Sequence, residues 1–307
     1  MIRVERISKT FGRVRALADV SLEVGRGERV AFVGSNGSGK TTLLRAMLGL
    51  VRVEGRVTVA GVDVAREPEI ALRNVAYIPQ IAPPADAPTR EVVGAVAALR
   101  RTTVERVGVR AERLGLDLDA CAATRFRDLS GGTKQKLLAA LALAAETEVL
   151  LCDEPTANLD AHARAAFFEE VDARPAGHVL VLCSHRVEEV RQLVHRVVEL
   201  KEGRVERDTP LDRLLETLRT FRVEVTLRPG GAAAEALLVG AGFGPSGPMR
   251  FGALCTQSEK VAIVARLVRE HADAIADLSM SEVEDLRLER PAADAAADAP
   301  KLRLVKP

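Results

Sequence analysis

Hydrophobic and polar positions switch between two periods along the first two-thirds of the chain. Short apolar or β-branched runs predict strands at Ile2–Ile7, Val20–Val24, Arg29–Val33, Arg56–Val59, Asn74–Ile78, Val149–Cys152, Val179–Cys183 and Val197–Leu200. Arg29–Val33, Val149–Cys152 and Val179–Cys183 are apolar almost throughout, as expected of strands covered on both faces. Helical stretches at Lys40–Leu50, Gly132–Ala145, Ala161–Val171 and Val187–Val194 lie between several of them. Strand alternating with helix predicts an α/β domain with a parallel sheet, over residues 1–210. The early strands, joined by GRGE and VEGR, predict an antiparallel edge. Pro79, Pro83, Pro84 and Pro88 interrupt the pattern, so a loop opens a helical insertion over about 81–145.

Beyond residue 210 the texture changes. FRVEVTL (221–227) alternates as a strand, GAAAEALLVGAG (231–242) predicts a short helix, and Phe243–Gln257 predicts a hairpin. Glu259–His271 predicts an amphipathic helix with Val261, Val264, Ala265 and Val268 on one stripe. This order predicts a small α+β domain of ferredoxin-like type over 211–290. The Ala/Asp/Pro-rich stretch 291–307 predicts a disordered tail.

Composition removes several alternatives. Lys+Arg 44 against Asp+Glu 43 leaves a net charge of +1, so no basic field points to nucleic acid. Eight Phe, one Tyr and no Trp leave little for base stacking, and the core must be aliphatic. Cys121, Cys152, Cys183 and Cys255 form no CxxC pair and read as reduced, packed thiols of a cytosolic protein. His162, His178, His195 and His271 lack ligand spacing and are given no metal role. The charged start MIRVERISKT predicts no secretory leader. The longest uncharged apolar run, Leu137–Ala145, is far shorter than the roughly 18–20 residues of a membrane helix, so direct membrane insertion is not expected.

One stretch carries phosphate chemistry. Gly34-Ser35-Asn36-Gly37-Ser38-Gly39-Lys40-Thr41-Thr42 follows a predicted strand and opens a predicted helix, matching GxxxxGK[ST]. The glycines let consecutive N–H groups turn inward to a polyphosphate, and the helix N-terminus adds partial positive charge. Lys40 is expected at the β- and γ-phosphates and Thr41 at Mg²⁺. Val149–Cys152 ends in Asp153 and Glu154. Asp153 stands where P-loop proteins place a second Mg²⁺ partner, and Glu154, one residue on, is placed to deprotonate an attacking water.

With these motifs in order, LSGGTKQ (129–135) resembles the LSGGQ signature of the ATP-binding subunits of ABC transporters. Physically, Ser130, Gly131 and Gly132 at a helix N-terminus make a second anion site. The resemblance covers about residues 1–206 and implies a P-loop ABC ATPase domain binding ATP and Mg²⁺. It also implies a head-to-tail dimer in which each signature clamps the nucleotide held by the other copy. It places Phe11 against adenine, Gln80 at Mg²⁺ and the attacking water, Asp160 of Asn158-Leu159-Asp160 at the dimer contact, and His185 at the γ-phosphate. Phe11 has the alternative of core packing and Asp160 that of a helix N-cap. Thr133 departs from the final Gln of the signature, and the proline-rich stretch after Gln80 departs from the usual docking region.

What the resemblance implies for function is an ATP-hydrolysing subunit coupled to a separate integral membrane permease, peripheral on the cytoplasmic face of the cell membrane. SEVEDLRLE (281–289) resembles the ending of export-type ATPases. The run CSHRVEEVRQLVHRVVELKEGRV (183–205), with the chain length, is similar to the ATPase of the nitrous-oxide reductase maturation transporter. The alternatives are a soluble ABC ATPase acting on ribosomes or nucleic acid, and a purely regulatory nucleotide-binding subunit. A single ATPase domain with only 49 residues between Gln80 and Ser130 argues against the first.

Overall fold

The computed structural model describes residues 1–184, 186–218, 220–283 and 303–304. They fall into two units, Met1–Leu211 and Asp212–Pro307.

The first unit opens with β1 (Ile2–Phe11) and β2 (Val14–Val24), then β3 (Arg29–Val33) and α1 (Lys40–Met47). There follow β4 (Glu54–Val59), β5 (Val62–Asp63), the short α2 (Pro68–Ala71) and β6 (Val75–Ile78). Helices α3 (Thr89–Leu99), α4 (Val104–Arg113), α5 (Leu118–Cys121) and α6 (Gly131–Ala144) separate β6 from β7 (Val149–Asp153). The unit closes with α7 (Ala161–Asp172), β8 (Val179–Cys183), α8 (Val187–Leu193), β9 (Arg196–Lys201) and β10 (Arg204–Pro210).

Two sheets result. The antiparallel one runs β2-β1-β4-β5 and the larger one β10-β9-β3-β8-β7-β6, in which every pair is parallel except the edge strand β10. All five residues of β7 and of β8 are buried, as their apolar runs demand. Val30, Phe32, Leu43, Leu44, Met47, Leu151 and Val181 belong to one core that also takes in Ile2, Ile7 and Leu17 of the antiparallel sheet. Each such side chain contributes about 1.5–3 kcal/mol of burial. Pairing Phe32 with Cys183 and Asp153 with Cys183 brings the carboxyl ends of β3, β7 and β8 to one edge of the sheet. Ligands of open α/β sheets bind at that edge.

Several boundaries differ from the sequence pattern. β1 and β2 continue to a tight hairpin at Phe11–Val14, well past the predicted runs. Their added positions mix polar residues with exposed Phe11 and Val14 and buried Leu17 and Ala18, and irregular pairing at Arg6 and Asp19 (φ +46° and +57°) breaks the alternation. β10, RVERDTP, is a charged edge strand with no hydrophobic signal. In the helical region the proline-rich loop is pinned: Asp86 pairs with Arg125 and, at 2.8 Å, with Arg127. Buried Glu170 of α7 binds Arg110 and Arg113 of α4.

The second unit begins within α9 (Leu211–Leu218) and contains β11 (Thr220–Leu227), α10 (Ala232–Gly240), β12 (Gly244–Gly247), β13 (Arg250–Thr256), α11 (Gln257–His271), β14 (Ile275–Val283) and β15 (Arg303–Leu304). Its antiparallel sheet has the order β12-β13-β11-β14, with β15 beside β13. The βαββαβ succession in that order is the ferredoxin-like arrangement. β14 closes the sheet and escaped the sequence reading, because IADLSMSEV carries no clean alternation. A capping box, Thr256 with Glu259, starts α11. Val223, Val225, Leu238, Ala253 and Leu267 form the core. Of the expected disordered tail 291–307, all but Arg303–Leu304 lies outside the described residues, as does most of 281–289. Among the described residues no helix is long and apolar enough to cross a membrane.

Candidate nucleotide site

The loop from β3 to α1 is shaped by its neighbours. A Cβ on Gly34 (φ +137°) would stand 2.1 Å from the Leu200 carbonyl oxygen, and one on Gly39 (φ +107°) 2.6 Å from that of Ala16. Glycine is therefore obligatory at both. The β9–β10 turn supports the loop from below: Gly203 N–H donates to the Ser38 carbonyl at 3.1 Å, and Ala18 N–H to the Gly203 carbonyl at 2.8 Å. Gly39 is the N-cap of α1 and has no side chain to close it, so the first N–H groups of the helix face the loop's concavity. The Lys40 ammonium folds over that concavity, donating to the Gly34 carbonyl, to the Ser35 carbonyl at 3.0 Å and to Ser38 Oγ at 3.4 Å. Carbonyl oxygens stand there where phosphate oxygens would be stronger acceptors.

Beside it, Thr41 Oγ1 donates to Asp153 Oδ1 at 3.2 Å. Asp153 is only 2% exposed. Burial raises its pKa, opposed by the Thr41 hydrogen bond and by Arg45 and Lys40. Glu154 follows in a left-handed conformation (φ +50°), with its N–H bonded to the Cys183 carbonyl at 2.9 Å. A non-glycine residue in that region signals local strain of the kind that collects at functional sites. The turn lets Glu154 leave the line of β7. Cys152 and Cys183 are buried and free, and burial raises both thiols, so they are packing groups.

Gln80 is exposed two residues after β6. Phe11 ends β1 with 49% of its surface exposed, so it is no core residue, and Lys9 Nζ lies 4.9 Å from its ring centroid. His185 lies outside the described residues.

Ser130 caps α6, its Oγ accepting from Thr133 N–H at 3.1 Å. The Thr133 hydroxyl lies 2.8 Å from the same oxygen, so the departure from the signature adds a hydrogen bond to the serine. A Cβ on Gly132 would approach the Asn158 carbonyl oxygen to 3.0 Å, so the glycine lets the Asn158–Asp160 loop lie close. Asp160 caps α7 through Ala163 N–H at 2.8 Å and pairs with Lys136 of α6 at 2.7 Å. These contacts hold its carboxyl down at about 2. Lys40, Thr41 and Asp153 thus form one cluster, while Ser130, Gly132 and Asp160 form another. Among the described residues no hydrogen bond or ion pair joins the two.

Sequence reasoning missed Gln135, Lys136, Thr156 and Glu189, which hold these loops. Gln135 alone gave a signal, as a polar position heading a long apolar helical run. It is 2% exposed and donates to the Pro155 carbonyl at 2.8 Å.

Fold and site together define a P-loop nucleotide-binding protein. The sequence pattern of the family described as ABC transporter matches residues 17–157. The chain is 35% identical over 300 residues to the phosphonates import ATP-binding protein PhnC of Anaeromyxobacter dehalogenans, covering 89% of this chain and 59% of that one. It is 32% identical over 302 residues to the daunorubicin resistance ATP-binding protein DrrA3 of Streptomyces coeruleorubidus, covering 95% and 93% of the two chains. The dimeric structure of MJ0796, a bacterial ABC transporter cassette, matches with a TM-score of 0.60 at 25% identity, covering 69% of this chain and 99% of that one. The chain belongs to the ATP-binding proteins of the ABC transporter family. The chain spans less than two-thirds of the phosphonate-import relative, and its relatives include an import protein beside a drug-resistance protein.

Proposed function

We propose that this protein is the ATP-hydrolysing subunit of an ABC transporter, acting as a head-to-tail pair of copies that drives a separate membrane permease. The separation of two anion-binding loops within one chain carries the reading. Ser130 is exposed at the end of the helix it caps, among the described residues no hydrogen bond joins it to its own P-loop, and a second copy supplies the missing half. The likeness to the MJ0796 cassette, described as dimeric, supports a working pair of copies.

In this reading Gly34, Ser35, Asn36, Gly37, Ser38 and Gly39 cradle the phosphates, and Lys40 exchanges loop carbonyls for phosphate oxygens. Thr41 and Asp153 fit Mg²⁺: both offer hard oxygen donors, and a magnesium site needs only one or two such protein groups beside the phosphates. Among the described residues no cluster of three or more His, Cys, Asp or Glu competes as a metal site. Bound there, the ion supplies neutralisation of phosphate charge. Thr42 extends the helix end, and Phe11 offers its exposed ring to adenine. Glu154 takes the proton of the attacking water, Gln80 orients that water beside the ion, and His185 meets the γ-phosphate. Ser130, Gly131 and Gly132 of the partner copy close over the nucleotide, with Asp160 at the contact. Positioning and electrostatics supply the catalysis.

We assign the direction as export, with the chain on the cytoplasmic face of the membrane. The drug-resistance relative is matched over 93% of its own length, against 59% for the phosphonate-import relative, which supports this over the import reading. Glu154→Gln is expected to lower turnover by about 100-fold or more. With ATP and Mg²⁺ that variant should elute as a dimer in light-scattering chromatography. Ordinary hydrolysis by it removes the assigned base. Loading of cargo into everted vesicles on ATP addition checks the direction; loss of preloaded cargo from them marks import.

A further inference from the structure

Glu189 is a buried carboxylate without a part in that chemistry. It lies on α8, 1% exposed. Its Oε1 accepts a hydrogen bond from the hydroxyl of Thr156, which is itself fully buried. Arg186 Nε stands 3.7 Å from the same oxygen, and among the described residues Oε2 has no hydrogen-bond partner. One hydroxyl and one distant guanidinium only partly offset the desolvation of a carboxylate, and an apolar side chain would fill the space without that cost. Stability therefore does not account for the residue.

Its location does. Thr156 is two residues after Glu154, whose backbone turns through φ +50° and is bonded to the Cys183 carbonyl. The carbonyl of the intervening Pro155 accepts from Gln135 of α6, the helix that Ser130 caps. Pro155–Thr156 is thus a joint gripped by α6 through Gln135 and by α8 through Glu189. In the chain, α8 begins two residues after His185.

We infer that Glu189 is a positioning residue: through Thr156 it fixes the backbone that presents Glu154. This rests on the role assigned above to Glu154.

The test is a kinetic cycle on the full chain with Thr156→Val, Thr156→Ser, Glu189→Ala and the Val/Ala double variant. Thr156→Val and Glu189→Ala should each lower kcat at least about fivefold, with KM for ATP and the affinity for a fluorescent ATP analogue changed less than about twofold. Thr156→Ser, which keeps the hydroxyl, should restore most of the rate. The double variant should be no slower than Glu189→Ala, because both changes break one contact. A smaller drop in kcat, a proportionate rise in KM, or losses that multiply in the double variant would overturn the inference. If Glu189→Ala does not fold, as judged by its melting curve, Glu189→Leu takes its place, filling the volume without an acceptor. The Glu154→Gln assay separates the two readings. Normal hydrolysis there removes the base, and the positioning role falls with it. Trapping there with uncoupled losses at 156 and 189 keeps the base and overturns only the positioning role.

Discussion

Gly34, Gly37 and Gly39 sit in one loop at positive φ but do not have equal latitude. A methyl on Gly34 meets the Leu200 carbonyl oxygen at 2.1 Å and one on Gly39 meets the Ala16 carbonyl oxygen at 2.6 Å, whereas one on Gly37 (φ +85°) meets nothing within 4 Å. Gly37→Ala therefore incurs backbone strain alone, about 1–2 kcal/mol. Gly34→Ala and Gly39→Ala also displace backbone of neighbouring strands, and each should destabilise by more than about 3 kcal/mol. Urea melts of the three variants check the order; a Gly37 variant as unstable as the Gly34 one contradicts it. The glycines were legible in the sequence because phosphate binding demands them. What was not legible is that Leu200 and Ala16, remote in the chain, close the loop from outside. The same holds for Thr156 and Glu189: a Thr and a Glu read as ordinary polar residues until the fold buries both.

Helix ends carry the next level of organisation. Ser130, Asp160 and Thr256 cap α6, α7 and α11 in ways the residue types announce. Asp160 does more, since it also reaches Lys136 on α6. The Ala163 N–H and then the Lys136 ammonium hold its carboxyl at about 2, below the ordinary 3.8 of the unfolded chain. A depressed carboxylate stabilises fully above the unfolded value and loses that contribution as pH falls through the folded one. The gap in melting temperature between wild type and Asp160→Ala should therefore be constant above about pH 5 and narrow below about pH 4, its charge-dependent part being lost by about pH 1. Added salt should shrink it, because the Asp160 carboxylate is exposed. A gap independent of pH over that range would show that the carboxylate charge contributes nothing. The elements themselves were readable where one face or both are apolar, as in β3, β7, β8 and α11. β10 and β14 were not readable, because an edge strand takes its stability from one neighbour and needs no hydrophobic period of its own.

At the scale of the whole molecule, each chain presents a phosphate cradle at the carboxyl ends of β3 and β7 and an exposed serine-capped helix end elsewhere. If the catalytic unit is a pair of copies, neither end works alone, and the rate must follow the concentration of pairs. Below the dissociation constant of the ATP-bound pair, that concentration grows as the square of total protein, so hydrolysis per molecule rises in proportion to protein concentration and then levels off. Ser130→Arg places a bulky cation at the contact, which should hold the rate per molecule low at every concentration while leaving binding of an ATP analogue to the chain's own P-loop within about twofold. Lys40→Ala should lose both binding and turnover. Mixing the two variants brings an intact P-loop from one against an intact signature from the other, so roughly a quarter of wild-type activity should return in an equimolar mixture if the two sites act independently. A rate per molecule that does not change on dilution, with no recovery on mixing, would mean that each chain completes its own site, and the separation of Ser130 from Lys40 would then need another explanation.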